Sequence, residues 1–365
     1  MDRFRYLNGE LYCEDVPVAD IADRAGTPVY VYSAATLRHH YRAIAEAFAP
    51  LNPLVCFAVK SLDNTHILRL LAAEGGGFDV VSGGEIARAI RAGADPAKIV
   101  YSGVAKTDRE IREAISAGIR MFNVESEAEF ENLSRLTGEA GRKVRASLRI
   151  NPDVYDPRTH VKTATGRKES KFGVDIDRAE VFFQTYGRDA NVALDALDLH
   201  IGSPIYSAEP YVRAIDRTLA LIESLRAKGF AVRTLDLGGG FAADYEEGRS
   251  PLAVDYAGQI VPMLKDAGLE IILEPGRQIA CNAGVLLTRV QYVKQGGTKK
   301  FLIVDAAMTD LIRPALYDSE HFVWPAKLPA GAESPPRRIA HAAKGCVPVD
   351  VVGGVCESSD FLAKG

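Results

Sequence analysis

Six apolar residues, Leu54 to Val59, run straight into Lys60. Partial burial disfavours an ammonium, so the Lys60 pKa is expected to fall, leaving a nucleophilic amine able to form a Schiff base. Taken alone, Lys60 is better read as a lysine that snorkels to solvent at a strand end. Other polar groups follow other apolar runs: Asp79 with Gly83-Gly-Glu85, Arg149-Ile-Asn-Pro, His200-Ile-Gly-Ser203, Gly238-Gly-Gly240 and Glu274-Pro-Gly-Arg277. The glycines would let backbone N–H groups approach an anion closely. An amine for a Schiff base, a phosphate cradle and an acid for a ring nitrogen together make the parts of a pyridoxal phosphate site.

Those residues need a scaffold that brings them to one rim. Eight short apolar runs alternate with helical patterns: Leu54–Val59, Phe78–Val81, Ile99–Ser102, Met121–Val124, Val144–Ile150, Ala196–Ile201, Thr234–Leu237 and Glu270–Leu273. Helix starts are marked at Asn64, at Thr107 with Glu110 and at Ser126 with Glu129; Gly229 and Gly268 mark helix ends. Continuously apolar strands suit a parallel sheet covered on both faces. Eight strand–helix units over this length predict a closed (β/α)8 TIM-type barrel, whose chemistry sits at the C-terminal ends of the strands, with phosphate after strands seven and eight. An open doubly wound sheet would want a Gly-rich turn after its first strand, where Val59-Lys-Ser61 stands instead. The expected division is a cofactor-binding barrel over 34–277 and a β-rich second domain from 1–33 and 278–365. In the latter, Gly284–Lys294, Lys300–Asp305 and Val347–Val352 read as strands and Pro325–Arg338 as a loop.

The chain resembles the fold-type III pyridoxal-phosphate decarboxylases, which share the alanine racemase and ornithine decarboxylase fold, and within them the diaminopimelate decarboxylases. The matching stretches are Phe57-Ala-Val-Lys60, Gly77–Glu85, Arg149-Ile-Asn-Pro, Thr159–Gly166 with Ser170-Lys-Phe-Gly173, His200-Ile-Gly-Ser, Leu237-Gly-Gly-Gly-Phe, Glu274-Pro-Gly-Arg277, Leu311–Tyr317 and Val355-Cys-Glu-Ser358. The resemblance implies decarboxylation of meso-2,6-diaminopimelate to L-lysine and CO2, in a homodimer with shared active sites. It implies that Lys60 carries pyridoxal 5'-phosphate, that Glu274 pairs with the pyridine nitrogen and that His200 lies against the ring. Ser203, Gly239, Gly240, Gly276 and Arg277 would hold the phosphate; Arg277, Arg313 and Tyr317 the distal carboxylate; Glu357, from the partner subunit, the distal ammonium. Cys356 would return a proton to the substrate carbon. Asp79 and Glu85 would support Lys60 and His200, and Arg149 would stand behind the site. His160 and Lys162 read as solvated loop residues, and His39, His40, His66, His321 and His341 have no constellation around them. Gly354 stands where the family usually has Pro. Family members continue past this chain's last residues with further strands and a Gly-Ala-Tyr-Gly segment, so the β-rich domain is expected to be C-terminally incomplete, with Cys356 and Glu357 poorly anchored and turnover reduced.

Ornithine or arginine decarboxylase is the nearest rival; those enzymes typically carry Cys-Asp where this chain has Cys356-Glu357. Alanine racemases lack this order of motifs. A cofactor-binding but inactive homologue is the alternative of a different class. With 365 residues, 47% apolar and 25% charged, and a net charge of -4, the chain has the make-up of a globular protein and no basic excess for nucleic acid. No apolar run approaches the roughly 20 residues of a membrane span, and Met1–Tyr6 is not signal-like. No metal site is expected. Cys13, Cys56, Cys281 and Cys346 read as small apolar fillers, and the five scattered cysteines as free thiols of a cytoplasmic protein.

Overall fold

In the computed structural model, which describes residues 2–159, 170–245, 250–336 and 346–365, eight parallel strands close on themselves. They are β1 (Leu54–Ala58), β2 (Gly77–Val80), β3 (Ile99–Tyr101), β4 (Met121–Val124), β5 (Val144–Asn151), β6 (Val192–Leu199), β7 (Thr234–Asp236) and β8 (Glu270–Leu273). Each pairs with the next, and β8 returns to β1 through Ile272↔Leu54 and Leu273↔Val55. The expected TIM-type barrel is thus the fold. Its continuously apolar strands are buried on both faces. Cys56, Val100, Met121, Ala196 and Ile272 form one packed layer of the core. His160 and Lys162, and with them most of the Thr159–Gly166 motif, lie outside the described residues, as does His341.

Local signals hold where their chemistry is complete. Asn64 and Ser126 cap their helices through the N–H groups of His66 and Glu129, and Thr107 with Glu110 forms a full capping box. Two boundaries differ from expectation. β6 begins at Val192, four residues early, because a bulge between Leu194 and Ala196 lets Asp195 turn to Arg145 at 3.1 Å without breaking the strand. The first strand stops at Ala58, and Lys60 lies two residues past it, in a single 3-10 turn over Val59–Ser61.

The chain divides into two compact units, Leu37–Ala243 with Pro251–Cys281, and Met1–Thr36 with Asp244–Ser250 and Asn282–Gly365. The helix Arg277–Ala280 stays with the barrel, where Ile279 is buried and its carbonyl meets His40 Nδ1 at 3.0 Å. In the second unit, Gly284–Leu287 runs antiparallel to Val29–Tyr32, and a four-stranded sheet is ordered Val290–Gly296, Lys299–Val304, Asp350–Val352, Phe361–Ala363. The single strand expected over Gly284–Lys294 is therefore two. Asp305 breaks it by accepting from both the Thr288 hydroxyl, at 2.6 Å, and the Arg289 N–H, at 2.8 Å. Val304, Ala306, Val351 and Leu362 form a small core behind the sheet.

Candidate active site

Asp79, on β2 and fully buried, accepts from Lys60 Nζ at 2.5 Å. The strand register fixes this pairing, since Ala58 lies opposite Asp79 and Lys60 follows in the next turn. Burial pulls the Lys60 ammonium down, but the carboxylates of Asp79 and then Glu274 outweigh it and hold the pKa above the ordinary lysine value. The expected fall is thereby reversed: desolvation was read correctly, but its neutralising partners were not. Glu85 does not reach Lys60; its carboxylate accepts the Val81 N–H at 2.7 Å, and burial pushes its pKa up.

Glu274 follows β8, Asp236 ends β7 and Asp198 is the last residue but one of β6, and their oxygens lie within 4.8 Å of one another. The ladder pairs Asp198 directly with Asp236. Burial raises all three, followed by the charge of Asp79 for Asp236 and that of Asp236 for the other two: Asp236 stands at about 6, Asp198 and Glu274 well above the carboxylate range. Asp79 Oδ1, Asp198 Oδ1 and Asp236 Oδ2 find no hydrogen-bond partner. The buried Asn123 of β4 donates to Glu274 Oε1 at 3.3 Å and to Ser102 Oγ at 3.0 Å. Arg149, also buried, lies 3.3 Å from Glu125 and 3.9 Å from Asp198, with its guanidinium 4.9 Å from the Phe172 ring.

His200 follows β6. Burial first, then the charges of Arg149 and Lys60, push its pKa well below the usual value, so the imidazole is neutral. The Gly239 N–H donates to Nδ1 at 3.3 Å, which leaves the proton on Nε2. The Gly239 N–H thus meets the imidazole in this structure. The glycines are sterically required: Cβ atoms at Gly239 and Gly240 would stand 2.2 Å from the Glu274 carbonyl and 2.4 Å from that of Gly202, and Gly240 has φ +105°. The buried Tyr211 braces the loop by donating to the Gly239 carbonyl at 2.7 Å. Across the rim, Arg277 Nε donates to Ser203 Oγ at 3.0 Å, and Gly276 packs against Ala58 and Ser61.

Lys60, Asp79, His200, Ser203, Gly239, Gly240, Glu274, Gly276 and Arg277 thus gather at the C-terminal ends of one set of strands, while the other expected site residues belong to the second unit. There Arg313 opens a short helix to Tyr317, lies 5.5 Å over its ring and donates to Ser319 Oγ at 3.2 Å. Cys356 and Glu357 are exposed in the turn between Asp350–Val352 and Phe361–Ala363. Buried Asp360 ties that turn by accepting the N–H groups of Met308, at 2.6 Å, and Val355, at 2.9 Å. Cys13 and Cys56 are buried fillers as expected, but Cys281 is half-buried and Cys346 exposed on a segment without regular structure.

Residues 34–281 match the pyridoxal-dependent decarboxylase family, in its pyridoxal binding domain. Diaminopimelate decarboxylase of Pseudomonas aeruginosa is 46% identical over 364 residues, which is 100% of this chain and 84% of the relative. That of Vibrio cholerae is 44% identical with the same coverage. The Helicobacter pylori enzyme complexed with L-lysine superposes with a TM-score of 0.86 at 37% identity, covering 95% of this chain and 84% of the other. The chain belongs to the diaminopimelate decarboxylase family. A lysine/ornithine decarboxylase of Vibrio vulnificus, 22% identical with a TM-score of 0.80 over 95% of this chain and 86% of the other, shares the fold.

The sequence reading of this family member missed Asn123, Ser147, Asp198, Asp236, Tyr211 and Asp360. The first four carried a usable signal, a polar side chain inside an otherwise apolar run. Near the strand ends of a closed barrel, such residues point into the same space as the site. Tyr211 and Asp360 gave no such sign.

Proposed function

We propose that the protein decarboxylates meso-2,6-diaminopimelate to L-lysine and CO2 with pyridoxal phosphate as cofactor. The convergence of Lys60, Asp79, His200 and Glu274 at one barrel rim, in a chain 46% identical to a diaminopimelate decarboxylase, carries the reading. The donor set fits the cofactor: one amine, one half-buried neutral imidazole, one buried carboxylate, and glycine, serine and arginine groups after strands six to eight. When bound, pyridoxal phosphate supplies the electron sink for the breaking Cα–carboxylate bond.

The chain's own residues do the rest. Asp79 holds Lys60 Nζ in place and sets how readily it gives up its proton. Glu274, as a carboxylate facing the ring nitrogen, keeps a proton there. His200, neutral and fixed by Gly239, offers a flat face to the ring. Ser203 and Arg277, already joined by a hydrogen bond, hold the phosphate with Gly239, Gly240 and Gly276. Arg277, Arg313 and Tyr317 bind the distal carboxylate, for which a planar guanidinium suits better than an ammonium. Glu357 binds the distal ammonium and Cys356 delivers a proton to the substrate carbon, both from the partner subunit of a homodimer. Free cysteines fit a reducing cytoplasm.

The holoprotein should release L-lysine and CO2 from meso-2,6-diaminopimelate with kcat/KM at least about a hundredfold above that for ornithine or arginine. A reversed preference would assign it to the diamine-forming enzymes. Cofactor binding without turnover of any of the three would make it a binder.

A further inference from the structure

We propose that Asn123 is a positioning residue for Glu274: its side-chain amide holds one carboxylate oxygen so that the other is presented, ionised, to the ring nitrogen of pyridoxal phosphate. The inference rests on the role given above to Glu274 and names what keeps that carboxylate in its working form.

Three strands build the arrangement. Asn123 on β4 lies directly opposite Ser147 on β5 in the ladder, and both are fully buried. The Ser147 hydroxyl donates to Asn123 Oδ1 at 2.5 Å. That bond turns the amide nitrogen toward Ser102 Oγ, at 3.0 Å, and Glu274 Oε1, at 3.3 Å. The opposite amide orientation would aim a carbonyl at a carboxylate. The main chain is clamped as well. Lys106, its side chain 1% exposed, donates to the Asn123 carbonyl at 2.8 Å, to the Gly103 carbonyl at 2.7 Å and to Glu129 at 2.6 Å. Neither Asn123 nor its clamp is needed for an apolar core, and a serine–asparagine pair buried inside a barrel costs free energy unless its polar groups are matched.

The surrounding charges explain why a neutral donor matters. Asp236, Asp79 and Asp198 repel the Glu274 anion, with Lys60 opposing them. Left to that field, Glu274 takes up a proton of its own and competes with the ring nitrogen for it. An amide N–H on Oε1 favours the anion without adding charge. With one oxygen so held, the other would be the one offered to the ring.

The test uses the full chain loaded with pyridoxal phosphate carrying nitrogen-15 in the ring, whose chemical shift reports protonation directly. Wild-type protein should show a protonated nitrogen, and Glu274→Gln should lose it. Asn123→Ala and Asn123→Asp should shift the signal toward the unprotonated form. Their kcat should fall about ten- to a hundredfold, the range for one hydrogen bond to an ionised group, with KM changed by less than about threefold. Ser147→Ala should do the same more weakly, and it carries the test if the Asn123 variants fail to fold. If Glu274→Gln deprotonates the ring while folded Asn123 variants, or Ser147→Ala in their place, keep the wild-type shift, Asn123 only fills the barrel and the proposal is overturned. A shift that ignores Glu274→Gln would overturn the role of Glu274 itself, and this inference with it.

Discussion

Replacing Asp79 by Asn removes one charge from the Lys60 ion pair and keeps an oxygen that can accept the same hydrogen bond. The Nζ–Oδ2 separation is 2.5 Å, and the Lys60 side chain is 47% exposed while Asp79 is fully buried. At that separation Coulomb's law gives about 1.7 kcal/mol in a water-like dielectric and about four times that at an effective value of 20. The exposure of the amine argues for the lower figure. At about 1.4 kcal/mol per pKa unit, the Lys60 pKa should fall by roughly one unit. Only the neutral amine can attack the cofactor's aldehyde. The sign follows: in wild type the raised pKa keeps Lys60 protonated and slows capture below it, and the substitution lets capture begin at lower pH. Stopped-flow absorbance of pyridoxal phosphate mixing with apoprotein, followed against pH, should show the Asp79→Asn profile displaced about one unit downward. At a fixed pH below both pKa values, capture should then be about tenfold faster. An unmoved profile, or one displaced upward, would mean that Asp79 does not govern the proton on Lys60 and that the 2.5 Å contact is structural.

Borohydride reduction of the holoprotein should fix the cofactor on Lys60 and leave Lys106 unlabelled, since Lys106 Nζ is buried against three oxygen acceptors; peptide mapping reads the result. Glu274→Gln should cut turnover with diaminopimelate by at least about a hundredfold while equilibrium dialysis still finds cofactor bound, and near-native turnover would remove Glu274 from the reaction. Burial lifts Asp236 to about 6 in the folded chain against about 3.9 unfolded. The folded apoprotein therefore binds this proton more tightly, and the stability it contributes is present below about pH 4 and lost as pH rises through about 6. In Asp236→Asn apoprotein the urea midpoint should lack that part of the decline, and parallel wild-type and variant profiles from pH 4 to 7 would count against it. Thr107→Ala should lower unfolding stability by about 1 kcal/mol, because it removes one arm of a complete capping box; chemical denaturation measures it.

The barrel was legible because each of its strands is a short apolar run and the helix starts carry their own caps. The rim was legible where a residue type has few uses: a lysine ending an apolar run, three consecutive glycines, an acid before Pro-Gly-Arg. What stayed hidden depends on pairing across strands. The distance from residue 123 to residue 274 along the chain says nothing of the 3.3 Å between their side chains. Nor could the sequence show that the Gly239 N–H turns to His200, or that Asp195 leaves β6 through a bulge toward Arg145. The Lys60 pKa was misjudged for the same reason: burial is readable from apolar neighbours in sequence, but Asp79 and Glu274 become neighbours only when the barrel closes.

The upper barrel is a poor design for stability. Asp79, Asp198, Asp236 and Glu274 crowd into one interior with Lys60 and Arg149 as their nearest cations, and Glu125 already pairs with Arg149. Three carboxylate oxygens there are buried without a hydrogen bond. Each such group costs about 1–3 kcal/mol. Nearer the N-terminal ends of the strands, the apolar cluster of Cys56, Val100, Met121, Ala196 and Ile272 carries no such burden. Excess negative charge at the rim is what a site needs if it is to hold a proton on a weakly basic ring nitrogen. The like-charge repulsion that raises Glu274 works against its anionic form, and the Asn123 amide offsets that by holding the carboxylate ionised and aimed. The strain at the rim is then a consequence of the chemistry, and the layer beneath it supplies the stability that lets it persist.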